Sequence, residues 1–303
     1  MEAQFKSQVE LLLDILPLTL ADERFAIKGG TAINLFVRDM PRLSVDIDLA
    51  YLPADTREQA LKNIDSALLF MSSQVEKSFR NISSEIKRSS GMQAKQVVFV
   101  KANVRVKVEV NQVMRETVFP CIERDLCPSA QNMFERFVSA RILSLEDLYA
   151  GKIIAGLDRQ HPRDFFDIRL LLQNEGMTDK LRKVVLVYMI SHNRPINELL
   201  APNELDIKSL YDNELVGMSN LQISFKDILK TRRKLTQLLH QSLTKEEKEF
   251  LLSVKDGSPN WDLLGLKNIE KLPAVQWKLL NIRKMDQQKR QAAYERLKTV
   301  LFG

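Results

Sequence analysis

Two aspartates one residue apart, Asp46 and Asp48, stand in the stretch SVDIDLAYL. Its period-two alternation sends Val45, Ile47 and Leu49 to one face of a strand and the two acids to the other. On one strand face their carboxylates lie about 6–7 Å apart. Two anions that close in a partly buried cleft raise each other's pKa unless a cation sits between them. An oxygen-only, carboxylate-rich set suits Mg²⁺, with Mn²⁺ as the next candidate. Glu109, on the polar face of VKVEV, offers a third acid from a neighbouring strand pattern. Three carboxylates on two strands can hold divalent ions for in-line phosphoryl or nucleotidyl displacement. Taken alone, the same acids equally describe the solvent face of an antiparallel sheet.

Upstream, the run RFAIKGG ends a short strand on Gly29 and Gly30, and TAINLFVRD reads as the helix that follows. Glycines between a strand and a helix let the backbone approach a phosphate, which the unpaired N–H groups of a helix start can bind. No Gly-Lys-Ser/Thr follows, so the turn is not a Walker P-loop. A purely structural turn is the other reading.

The elements that must carry these residues alternate in the first half. TREQALKNIDSALLFMSSQVEKSF is a long helix, and QVVFV with VRVKVEVNQV, joined at KAN, forms an antiparallel hairpin. From Leu143 the pattern becomes helical. SLEDLYAGKIIAGL opens on a capping-box-like Ser144/Asp147, and RDFFDIRLLLQNEG is a helix stopped by Gly176. Helical runs follow around residues 178–190, 222–242 and 245–253, and an amphipathic tail runs from about Trp277 to Phe302. The expected architecture is α/β (α+β): a domain over 1–175 with a mixed or antiparallel sheet, then an all-helical domain over 176–303.

At 303 residues the chain can bury a full core, and its 45% apolar and 28% charged content is that of a soluble globular protein. The N-terminal apolar run is broken by Asp14 and Pro17, so it reads as a short amphipathic helix and not as a signal peptide. No apolar segment reaches membrane-spanning length. Two cysteines and three scattered histidines exclude a disulfide scaffold and argue against zinc, and a reducing cytoplasm fits best. Residues 1–175 hold 23 Lys+Arg against 24 Asp+Glu, and residues 176–303 hold 22 against 15. The positive excess is therefore C-terminal and points to an anionic partner such as nucleic acid, or simply to a solvated helical surface.

The strand–Gly-Gly-Thr–helix followed by RLSVDIDL resembles the nucleotidyltransferase superfamily of DNA polymerase β. With VKVEVN, LEDLYAGKIIAGLDRQHPRDFFDI and LPAVQWKLLNI, it resembles more narrowly the AbiEii/AbiGii toxin-type nucleotidyltransferases of toxin–antitoxin and phage-defence systems, and is similar to the tRNA-modifying MenT-type toxins. The fifteen residues between Gly30 and Asp46 exceed the spacing usual in the broad superfamily, and the narrower group tolerates them.

The resemblance implies that Gly29, Gly30 and Thr31 cradle the triphosphate of an NTP. It implies that Asp46 and Asp48 bind Mg²⁺, with Glu109 as third ligand or general base. Lys152 in YAGKIIAG matches the essential lysine, which also contacts the nucleotide. Asp164 in RDFFD matches the fourth-motif acid, with Asp167 three residues on as the alternative. On the residues alone, Lys152 is an ordinary helix-surface lysine, and Arg163 with Asp164 an ordinary charge pair at a helix start. Arg42 and Ser44 either order the loop before the strand or touch phosphate. The basic runs Lys230–Leu235 and Arg283–Gln291 are solvated helix faces or RNA contacts, and His161 is a loop residue.

The implied activity is Mg²⁺-dependent transfer of NMP from an NTP to RNA, foremost the tRNA 3′ end, blocking translation, with a cognate antitoxin protein as partner. Two other readings stand beside it: the same chemistry on a protein side chain, and a nucleotide- or RNA-binding regulator without catalysis.

Overall fold

β-Branched residues at every second position give the first half its sheet. In VRVKVEVN, Val106, Val108 and Val110 are buried while Lys107, Glu109 and Asn111 stay half-buried. The computed structural model describes residues 3–88, 93–219 and 221–303. It resolves into two compact units, Met1–Ser144 with Val216–Gln222, and Leu145–Leu215 with Ile223–Gly303.

The first unit carries helices α1 (Ala3–Thr19), α2 (Gly29–Thr31), α3 (Arg57–Ser78) and α4 (Pro128–Phe134). Its strands are β1 (Phe25–Lys28), β2 (Asp46–Tyr51), β3 (Ser83–Arg88), β4 (Ala94–Lys101), β5 (Val104–Asn111), β6 (Ile122–Asp125) and β7 (Ser139–Ile142). They form one mixed sheet in the order β3-β4-β5-β2-β1-β7-β6. The β4–β5 hairpin is antiparallel, as its sequence predicts, whereas β2 pairs in parallel with β5 and β1 in parallel with β7. Helix α1 packs against β5 and α3 against β4, and the two helices touch. They supply a core of Leu11, Leu12, Ile15, Leu16, Ile64, Leu68 and Val75.

The segment expected as one α-helix after the glycines is α2 continued by a π-helical stretch, Ala32–Val37. Its wider winding is closed by the Arg38 N–H on the Ile33 carbonyl, at 2.7 Å. The strands β3, β6 and β7, of six, four and four residues, lie outside the elements expected from the sequence.

The second unit is helical among its described residues: α5 (Leu145–Arg159), α6 (Pro162–Asn174), α7 (Asp179–Ser191), α8 (Ile196–Leu200), α9 (Lys208–Glu214), α10 (Phe225–Ser242), α11 (Lys245–Asp256), α12 (Pro273–Arg283) and α13 (Gln287–Phe302). The tail expected as one run is α12 and α13, restarted where Asp286 accepts the Gln288 and Lys289 N–H groups as an N-cap. Buried Arg182 on α7 ties to Glu247 on α11 at 2.8 Å, and Tyr188 donates to the buried Asp147 of α5.

The units divide between Ser144 and Leu145, ahead of the 175/176 boundary drawn from the sequence. Helices α5 and α6 bury their apolar faces against α7 and α10, so they belong to the helical unit although their motifs read on from the sheet. Among the described residues no helix is long and apolar enough to cross a membrane.

Candidate active site

The turn after β1 admits no side chains. Gly29 has φ +71°, and a Cβ there would lie 2.5 Å from Asp48 Oδ2. A Cβ on Gly30 would lie 2.8 Å from both Arg42 Nη2 and Ser44 Oγ. The first glycine thus meets a left-handed backbone and a carboxylate, and the second meets a buried guanidinium. Thr31 is fully buried; its hydroxyl donates to the Asp46 carbonyl and lies 3.1 Å from Ser44 Oγ, so it pins the start of β2. Arg42 is 2% exposed and donates to the Leu43 carbonyl, which identifies it as an organiser of the loop before β2. A returning segment holds the same loop: the Leu43 N–H bonds the Met218 carbonyl, and the Ser219 hydroxyl donates to the Pro41 carbonyl.

The acids fall where the alternation puts them. Asp46 pairs in register with Lys107, and Asp48 with Glu109, across the parallel β2–β5 seam. Ile47 and Leu49 are fully buried on the opposite face, while the two aspartates are half-buried. Directly paired residues of adjacent strands share a face, about 5 Å apart between strands. Asp46, Asp48, Lys107 and Glu109 therefore make one square of charge, and Lys107 Nζ lies 3.1 Å from Glu109 Oε2. Burial opposes the charge on Lys107, but Asp46, Glu109 and Asp48 outweigh it and raise its pKa. The alternation puts Lys107 on this face, but a strand pattern names the face and not the pairs across it.

The donor set is hard oxygen, and it abuts the Gly29–Gly30 turn, which fits a divalent ion brought with a nucleotide. Among the described residues no three acids, histidines or cysteines close into a metal cluster. Asp46, Asp48 and Glu109 stand on one face as candidate ligands, and Mg²⁺ sites usually leave further positions to water and substrate oxygens.

In the second unit Lys152 lies on α5 and Asp164 on α6, joined by a short turn at Gln160–His161. Gly156 lets the two helices close up, since a Cβ there would meet Ile168 Cδ1 at 3.0 Å. Lys152 Nζ lies 3.0 Å from Asp164 Oδ1 and 3.1 Å from Asp167 Oδ2. Both carboxylates are fully buried and the lysine is 7% exposed, so the lysine is no surface residue. Arg159 closes the cluster with Nε 2.8 Å from Asp164 Oδ2. Burial would raise the Asp164 pKa, yet Lys152 and Arg159 hold it well below the usual carboxylate range. The two candidate acids of RDFFD thus share one lysine.

His161 is the N-cap of α6 and not a plain loop residue. Its Nδ1 accepts the Arg163 N–H at 3.2 Å, which leaves Nε2 to donate to Glu214. Within Lys230–Leu235, Arg232 is buried against Gln160, Glu204 and the Leu205 carbonyl, while Lys230, Arg233 and Lys234 are exposed. Arg283 donates to the Gly257 carbonyl. Both cysteines are free.

A family model described as the nucleotidyl transferase AbiEii toxin of type IV toxin–antitoxin systems matches residues 10–280. The chain belongs to the AbiEii nucleotidyltransferase toxin family. Among solved structures, this AbiEii chain is similar to MenT4, a nucleotidyltransferase toxin from Mycobacterium tuberculosis H37Rv, with a TM-score of 0.59 and 13% identity over 99% of this chain and 95% of that one. At that identity the likeness establishes the fold. No curated protein matches the chain. The AbiEii match spans the glycine turn, the acid face and the Lys152 cluster alike.

Proposed function

We propose that this AbiEii chain is a Mg²⁺-dependent toxin that transfers NMP from an NTP to RNA, with the tRNA 3′ end as acceptor, and so blocks aminoacylation and translation. The observation that carries the reading is the in-register acid face of β2 and β5 set against the Gly29–Gly30 turn. Asp46 and Asp48 would hold the ion, which when bound supplies charge neutralisation for the triphosphate and acidifies a nearby hydroxyl. Gly29 and Gly30 let the turn close onto Asp48, Arg42 and Ser44, and the start of the helical segment would supply N–H donors to the phosphates. Thr31 and Arg42 serve from beneath, fixing the turn and the entry to β2.

In the transfer step the acceptor hydroxyl oxygen bonds to the α-phosphorus, the bond to the β-phosphate oxygen breaks, and pyrophosphate leaves. Glu109 takes the hydroxyl proton, which requires its carboxylate to part from Lys107. Lys152 and Asp164 keep the roles that the resemblance implies, the lysine's being to offset charge on the leaving pyrophosphate. The family supplies the expectation of an antitoxin partner, and NTP and tRNA pools place the activity in the cytoplasm.

The test is NTP-by-NTP transfer to total RNA with Mg²⁺ and labelled nucleotides. RNase-sensitive label from one NTP is expected. Label that survives RNase and yields to protease moves the acceptor to a protein, and no label on either overturns the reading.

A further inference from the structure

On the acid face a cation is already built in. Asp46, Asp48 and Glu109 share it with Lys107, which lies directly across the seam from Asp46 and 3.1 Å from Glu109 Oε2. Lys107 is half-buried, and its ammonium is held at Glu109 on the face that the two aspartates share. Lys28, across from Asp48 on β1, is a second cation at the edge of the same face. Three acids this close repel one another, and a lysine among them lowers that repulsion as a metal ion would.

We infer that Lys107 is an internal counter-cation that occupies the acid face of the metal-free protein and competes with the divalent ion for it. This rests on the proposed reading of Asp46 and Asp48 as metal ligands. The ion and the ammonium draw on the same negative charge, so binding of one weakens the hold of the other. Lys107 thereby sets divalent affinity low and keeps Glu109 engaged until metal and nucleotide arrive together. Once Glu109 is released, it is free to accept a proton. Lys107 acts through Glu109 and the aspartates, as a positioning residue.

The experiment measures Mn²⁺ binding to the full chain by electron paramagnetic resonance at fixed ionic strength, for wild type, Lys107→Met, Lys107→Arg, Lys28→Met and Asp48→Asn. Lys107→Met should bind Mn²⁺ about tenfold more tightly, Lys107→Arg close to wild type, and Lys28→Met with a clearly smaller gain. The thermal midpoint of Lys107→Met should be lowered without metal and rise further than wild type on adding Mn²⁺, which keeps the test readable if the variant is unstable. Equal or weaker binding by Lys107→Met, or an equal gain in Lys28→Met, overturns the role of Lys107 while leaving the metal reading intact. Unchanged binding by Asp48→Asn overturns the metal reading itself, and no binding by wild type or Lys107→Met overturns both.

Discussion

Removing the Lys152 ammonium would leave Asp164 and Asp167 as two carboxylates where water does not reach. Breaking a buried ion pair by deleting one partner costs about 3–5 kcal/mol, so Lys152→Met should lose that much in denaturant unfolding. The pH dependence has a definite sign. The Asp164 carboxyl titrates lower in the folded chain than in the unfolded one, so its contribution is complete above the unfolded pKa and is lost as pH falls through the folded one. In Lys152→Met that carboxyl loses its main cation and its pKa rises. Acid unfolding followed by circular dichroism should then begin at a higher pH than in wild type. Gly29→Ala acts differently: it forces an L side chain into φ +71° and onto Asp48 Oδ2. The strain costs about 1–3 kcal/mol, and nucleotide transfer should fall by far more than the melting temperature suggests, because the carboxylate must move. Strand period alone revealed Asp46, Asp48 and Glu109, because a face is a sequence property. The pairing of Lys107 with Asp46 and the sharing of Lys152 by two acids are tertiary facts that no spacing encodes.

Between elements, the α5–α6 turn does the positioning. Gln160 sits at φ +52°, and its side chain bonds the Asn203 carbonyl, the Leu205 N–H and buried Arg232. His161 then caps α6, and Asp164 follows in the first turn. Burial first, and Arg163 second, lower the His161 pKa. Protonating Nδ1 would abolish the cap, so stability should be full above the unfolded histidine pKa of about 6.5 and decline as pH falls below it. His161→Asn, a good N-cap, should remove that part of the pH dependence, while His161→Phe should lose about 1 kcal/mol at pH 7.5. Thermal melts across that range decide between them. The hairpin and the long helices follow local rules and were readable, whereas His161 reads from the sequence as a loop residue and not as a cap. The return of 216–219 to Pro41–Leu43 was not readable, because it answers to contacts distant in sequence. The same reason moved the boundary: local pattern changes near Gly176, but packing assigns α5 and α6 to the helical unit.

For the whole molecule, the charge asymmetry gives a separate check. The residues beyond 175 hold 22 Lys+Arg against 15 Asp+Glu, and Lys230, Arg233 and Lys234 of α10 are exposed. If RNA is the acceptor, tRNA affinity should fall steeply between about 50 and 200 mM salt. Replacing those three residues by Glu should weaken binding and flatten the slope, as filter binding would show. The family and fold rest on nearly the whole chain, whereas the activity rests on the small face where β2 meets β5. The most direct measurement is therefore nucleotide transfer to total RNA by wild type and Asp48→Asn, with thermal melting of both. The expected result is Mg²⁺-dependent, RNase-sensitive label with wild type and none with Asp48→Asn, at closely similar melting temperatures. Undiminished label with Asp48→Asn, or no label with folded wild type, would contradict the account.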